Sequence, residues 1–271
     1  MIICRTPFRI SYFGGGTDFP IWYNKNKGMV ISTTINKYCF LNLRSLPQIF
    51  DYKFRLRYFK NEYVKKISEI KHPSIKAVLN EFYKKNINGL EIVHNADLPA
   101  LSGLGASSAF TVSLINAIKN HNFEHASKRF LAEKAIYIEQ KILKENVGSQ
   151  DQFACSFGGF NIIEFNNNNI SVNPINIESE KIQKLSESTV LIYTEQKRFA
   201  GKIEKDKIKN LDKKIKEYDK LYELANEAKK VIYSKGSNYI IEFGKLLNEN
   251  WNVKKSLSNK VSNKKINEIY S

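Results

Sequence analysis

The stretch 95–110 reads N-A-D-L-P-A-L-S-G-L-G-A-S-S-A-F, and it constrains this chain more than any other segment. It joins a strand-like run at 90–94 to a helix-like run that begins near Ser107, and between them lie only small residues, a proline and two glycines. Gly103 and Gly105 permit positive φ and carry no side-chain bulk, so a ligand can approach the backbone there. Behind them, a helix opening at Ala106, Ser107 and Ser108 would present unpaired N–H groups and the positive end of its dipole. Such an arrangement receives an anion, most often phosphate, and the two serine hydroxyls add a ligand for a phosphate-bound Mg²⁺. The same letters also describe an ordinary helix cap preceded by a glycine turn.

With 271 residues and 42% hydrophobic content, the chain can build one large domain or two ordinary ones around a real core. No apolar run approaches the length of a membrane span, and the first residues lack a basic region followed by a long apolar one, so the reading is cytoplasmic. Cys4, Cys39 and Cys155 are odd in number and widely spaced, which suggests small buried hydrophobes rather than disulfides or a zinc site. The net charge of +16 raises nucleic acid as a partner. Against it, only seven of the 43 basic residues are arginine, and the lysines after residue 201 alternate with Glu and Asp as on a solvated helix face. The expectation is therefore no nucleic acid and no membrane, with a basic field that attracts a small anionic substrate.

In chain order, two short strands are expected at 2–5 and 8–13, followed by the loop Gly14-Gly15-Gly16-Thr17-Asp18, which bends sharply and ends on a carboxylate. Further strands are expected at 28–35, 38–43 and 52–58, a helix at 73–85, and the strand into the glycine loop. Helices at 107–119 and 126–144 come next, the second with Leu131, Ala135, Ile138 and Ile142 at helical spacing. Strands at 160–165, 170–175 and 189–193 precede a helical remainder. Segregation of strands from helices argues for an α+β class, with a division near 175–190.

Several residues suit phosphoryl transfer: the glycine loop, Ser107 and Glu139 for a metal, Asp151 as a carboxylate base, Arg9 as a cation and Asp18 at the second glycine turn. Each also has a plain reading. Arg9 could point outward from its strand, Glu139 could be a surface charge, and Asp151 could cap the helix that follows it. The Walker-type phosphate loop and the protein-kinase H-R-D and D-F-G triplets are absent from the sequence.

Three ordered motifs, T-P-F-R-I-S-Y-F-G-G-G-T-D at 6–18, P-A-L-S-G-L-G-A-S-S-A at 99–109 and G-S-Q-D-Q at 148–152, resemble those of the GHMP small-molecule kinases. The first of them, with T-E-Q-K-R-F-A at 194–200, looks most like the branch that phosphorylates D-glycero-D-manno-heptose 7-phosphate for bacterial surface polysaccharide. The resemblance implies a ribosomal-S5-like N-terminal lobe and a ferredoxin-like C-terminal lobe, here 1–180 and 181–271. It implies transfer of the ATP γ-phosphate to the anomeric hydroxyl. Carried over, Pro99, Ser102, Gly103, Leu104, Gly105, Ala106, Ser107 and Ser108 hold the ATP phosphates, and Ser107 and Glu139 bind Mg²⁺. Asp151 is the base and Arg9 its cationic neighbour, while Gly16, Thr17 and Asp18 contact the sugar. Arg198, beside Lys197 and Lys202, would grip the phosphate of a sugar phosphate.

The family's third glycine-rich motif has no counterpart after Gly244. The expectation is a C-terminal lobe cut short, poor in activity and prone to self-association. A homodimer stays open, as do a fucose- or galactose-type kinase and a non-catalytic nucleotide or sugar binder.

Overall fold

A computed structural model describes residues 1–84, 89–100, 102–167, 169–194, 206, 208–236 and 238–270. Packing divides the chain into two compact units. The first holds Met1–Arg9, Thr34–Glu145 and Asp151–Gly158; the second holds Ile10–Thr33, Asn146–Gln150 and the chain from Gly159 on.

Strands β1 (Ile2–Phe13) and β2 (Gly28–Ser45) pair with each other and contribute to both units. Each is one strand where two were expected. Pro7 keeps its strand intact because its fixed φ is compatible with extended backbone. Asn36 and Lys37 are exposed residues of a continuous strand rather than a turn.

In the first unit β2 pairs antiparallel with β5 (Leu90–Ala96), placing Leu43 opposite Ile92. Strand β3 (Phe54–Arg57) runs parallel to β5 and forms a hairpin with β4 (Asn61–Val64), which sequence reading missed. Helices α2 (Pro73–Phe82), α3 (Ala106–His121) and α4 (Lys128–Ile136) share one core with these strands, including Leu41, Leu56, Leu79, Leu114, Ile118 and Leu131. Helix α3 is buried on nearly every face between Ser108 and Ile118, with Ala109, Ser113 and Ala117 allowing close approach. The glycine loop therefore leads into an element that cannot rotate.

The expected helix 126–144 is not continuous. After α4 the backbone takes a π-helical turn at Tyr137–Ile142. The wider turn buries both Ile138 and Glu139 and leaves Ile142 44% exposed, although a 3.6-residue period had placed Ile142 on the apolar face. Helix α5 (Gln150–Phe157) follows.

The second unit pairs β2 with β6 (Phe160–Asn166), Ile31 opposite Ile162, and β6 with β7 (Asn169–Pro174). Preceded by the short α1 (Pro20–Tyr23), these strands pack with α6 (Ser179–Glu187), α7 (Ile215–Tyr233) and α8 (Tyr239–Leu257) around Tyr12, Phe13, Met29, Leu224, Ala228 and Phe243. Trp22 stacks on Tyr218 at 5.1 Å between ring centroids. A last helix, α9, spans Lys264–Tyr270. The strand expected at 189–193 is not formed: Val190, Leu191, Ile192 and Tyr193 are exposed and pair with no strand among the described residues. Strand propensity alone does not make a strand without a neighbour to complete its ladder. The α+β class expected from the sequence is the class observed.

The glycine loop at 14–16 depends on absent side chains. Gly14 has φ +76°, and a Cβ there would stand 1.7 Å from the Met29 carbonyl oxygen. Gly14→Ala should cost about 2–4 kcal/mol of stability. A urea midpoint equal to that of the unsubstituted chain would contradict this.

Candidate active site

Gly105 caps α3 in the left-handed conformation, φ 77° and ψ 21°, so the chain turns sharply into the helix and leaves its first N–H groups facing outward. Gly103 also has φ +77°, with open space where a Cβ would project. Strand β1 holds the loop from behind: the Arg9 N–H donates to the Leu104 carbonyl at 3.1 Å. Ser107 is exposed at the helix start, and Pro99 is exposed before the loop.

The Arg9 side chain completes this grip. Its Nε donates to Asp151 Oδ1 and its Nη2 to Oδ2, both at 2.8 Å, while Nη1 donates to the Gly103 carbonyl at 3.0 Å. Two parallel bonds of this kind fix the plane of the carboxylate as well as its position. Neither outward solvation of Arg9 nor simple capping by Asp151 describes the geometry. Gly105 is required here as well, since a Cβ would come within 3.2 Å of Arg9 Cγ and 3.5 Å of Asp151 Oδ2.

Glu139 lies on the π-helical turn and is 1% exposed, so it is not a surface charge. Its Oε2 accepts from Ser108 Oγ at 2.9 Å and from Gln152 Nε2 at 2.5 Å. Its Oε1 is buried with no hydrogen-bond partner among the described residues. Burial pushes its carboxyl up to about 7, and the bonds from Gln152 and Ser108 oppose that rise only in part.

In the second unit Asp18 is 1% exposed and acts as a clasp. Its Oδ1 accepts the Gly16 N–H at 2.8 Å and its Oδ2 the Gln150 N–H at 3.2 Å, while its carbonyl accepts the Ser149 N–H at 2.9 Å. A Cβ on Gly148 would stand 1.8 Å from Asp18 Oδ2, which accounts for glycine at that position. Thr17, fully buried, bonds the Gly14 carbonyl at 2.8 Å and accepts the Met29 N–H at 3.1 Å.

The pattern of the GHMP kinases N terminal domain covers residues 63–159. Across 98% of its length the chain is 32% identical to the D-glycero-alpha-D-manno-heptose 7-phosphate kinase of Campylobacter jejuni, of which it spans 80%. The chain belongs to the GHMP kinase family. Solved structures that share its fold include two kinases. A D-glycero-D-manno-heptose 1-phosphate kinase from Bacteriodes thetaiotaomicron matches with a TM-score of 0.79 at 24% identity, over 94% of this chain and 80% of that one. The Methanococcus jannaschii mevalonate kinase matches with 0.68 at 19%, over 99% and 82%.

In this GHMP kinase the first unit brings Arg9, Asp151 and the loop Gly103–Gly105 together, with Glu139 buried beneath the first turn of α3 through Ser108. The motif at 148–152 is divided, Gly148, Ser149 and Gln150 belonging to the second unit and Asp151 and Gln152 to the first. Arg198, with Lys197 and Lys202, lies outside the described residues. Among the described residues no cluster of three or more His, Cys, Asp or Glu could hold a metal by itself. The unpartnered Oε1 of Glu139 nevertheless fits a cation that takes its other ligands from phosphate. No helix among the described residues is long and apolar enough to cross a membrane. Sequence reading missed Gln152 as a partner of Glu139; its only signal was its place beside Asp151.

The raised carboxyl of Glu139 sets a pH dependence. Its folded-state value of about 7 exceeds the ordinary 4.5, so its contribution to stability is complete below 4.5 and is lost as pH rises through 7. The loss amounts to about 3 kcal/mol at most. Glu139→Gln cannot ionise and should gain stability over the unsubstituted chain as pH rises from about 5 to about 8. Urea midpoints at both pH values check this; an equal difference between the two proteins at each pH would rule it out.

Proposed function

We propose that this GHMP kinase transfers the γ-phosphate of ATP to the anomeric hydroxyl of D-glycero-D-manno-heptose 7-phosphate. That the chain is a sugar kinase follows from its family and relatives; the particular sugar, its phosphate and the nucleotide are this proposal. The observation that carries it is the two-bond fork between Arg9 and Asp151 beside the open Gly103 and the start of α3.

The N–H groups at Ala106, Ser107 and Ser108 receive phosphate oxygens, and the buried α3 holds them rigid. Asp151, its plane set by Arg9, accepts a hydrogen bond from the attacking hydroxyl and aligns its oxygen on the γ-phosphorus. As the new P–O bond forms, the bond from the γ-phosphorus to the bridging oxygen breaks, ADP leaves with that electron pair, and the hydroxyl proton passes to Asp151. The product is the sugar 1,7-bisphosphate. Arg9 also places positive charge beside the transferring group. Ser107 and Glu139 would hold Mg²⁺, which when bound offsets the charge on the phosphate oxygens. Gly16, Thr17 and Asp18 shape the sugar-binding loop, Thr17 and Asp18 by clasping its backbone.

Asp151→Asn retains the shape of the side chain but cannot accept a proton. Its kcat should fall by about 10²- to 10⁴-fold while ATP affinity is retained. Steady-state kinetics and nucleotide titration would show it, and near-normal turnover removes Asp151 from the mechanism. For the substrate, ADP release should be fastest with heptose 7-phosphate among a panel including free heptose, galactose, fucose and mannose 6-phosphate. A faster rate with an unphosphorylated sugar would overturn the assignment.

A further inference from the structure

Gly15 is buried, yet unlike its neighbours Gly14 and Gly16 it does not have positive φ. Its lack of a side chain has another consequence. The point where a Cβ would stand lies 3.0 Å from Lys254 Nζ, 3.4 Å from Gln150 Nε2 and 3.4 Å from Ser11 Oγ. An ammonium, an amide N–H₂ and a hydroxyl therefore converge beside one bare stretch of backbone, and all three can donate. Ser11 Oγ, which can donate, is buried and has no hydrogen-bond partner among the described residues. Unpartnered buried polar atoms of this kind mark places where a ligand or water completes the bonding.

The cluster is built rather than incidental. Gln150 is held through its own N–H by Asp18. Helix α8 is tied to β1 by the buried Asn250, whose Nδ2 donates to the Tyr12 carbonyl at 3.2 Å. Lys254 lies four residues further on, one turn along the same face of α8, so the anchor that fixes Asn250 also aims Lys254 toward the glycine loop. Every residue of this cluster belongs to the second unit.

We infer that Lys254, Gln150 and Ser11 form a subsite for the non-transferred phosphate of a sugar phosphate, with Lys254 as its cation. Lysine is a common phosphate ligand, acting as a point charge, while the amide and hydroxyl donors complete the oxygen contacts. This deepens the proposed function and rests on its reading of the substrate as a phosphorylated sugar.

Two measurements on the full chain test it. The first compares kcat/KM for heptose 7-phosphate with that for free heptose in the unsubstituted protein, Lys254→Met, Lys254→Arg and Arg198→Ala. Lys254→Met should lower the preference for the phosphorylated sugar by about 10- to 100-fold, mainly through KM, the usual worth of a charge-assisted hydrogen bond. Lys254→Arg should restore most of it, and KM for ATP should stay unchanged. An unaltered preference, equal losses with both sugars, or loss in Arg198→Ala but not in Lys254→Met overturns the assignment. The second measurement titrates inorganic phosphate by calorimetry with the nucleotide site saturated by ADP. Binding weakened in Lys254→Met and retained in Lys254→Arg supports the subsite; binding equal in all three overturns it. Should the unsubstituted chain phosphorylate neither sugar, the substrate reading fails while the phosphate titration still decides the subsite.

Discussion

A guanidinium and a carboxylate in a parallel fork are the interaction on which the candidate site of the first unit depends. Arg9 bonds both oxygens of Asp151 and, with its remaining nitrogen, the carbonyl of Gly103. One side chain thus ties the carboxylate proposed to handle the hydroxyl proton to the loop proposed to hold phosphate. The fork needs Gly105, because its left-handed backbone disfavours any side chain and a Cβ there would crowd the Arg9 stem at 3.2 Å. It also needs α3 to be immobile, and a helix buried on nearly all sides meets that condition.

Beneath the first turn of α3, Glu139 shows how a π-helical turn can bury a carboxylate. A regular helix would carry the apolar stripe onward to Ile142; the wider turn instead brings a carboxylate inward and leaves one oxygen without a partner. Burying an acid in this way costs stability once it would otherwise ionise, and the fold retains it beside Ser108 and Gln152 all the same. Strain or mismatch held at one position by well-packed surroundings is characteristic of functional sites.

The second unit is organised differently. Asp18 makes its bonds to the backbone of its own loop and of residues 149 and 150, so that carboxylate works first as a clasp. Close to the backbone of Gly15 in the same loop come the amide of Gln150, the hydroxyl of Ser11 and a lysine from a helix far away in sequence.

By itself the sequence determined the three glycine-bearing motifs, the α+β class and the family. Glycine position and the order of strand, loop and helix are local properties, and side-chain bulk excludes most alternatives at Gly14, Gly105 and Gly148. Local pattern could also nominate Arg9, Glu139 and Asp151, but it left each with a plain alternative. Only tertiary structure decided among them, because a partner 142 residues away for Arg9, and 31 residues away for Glu139, has no signature in spacing. The same reason hid Gln152 and Lys254, and it undid the expected strand at 189–193, whose apolar residues suit a strand but pair with none among the described residues. A strand exists only where another supplies its hydrogen bonds, and that is a property of the folded chain rather than of the segment.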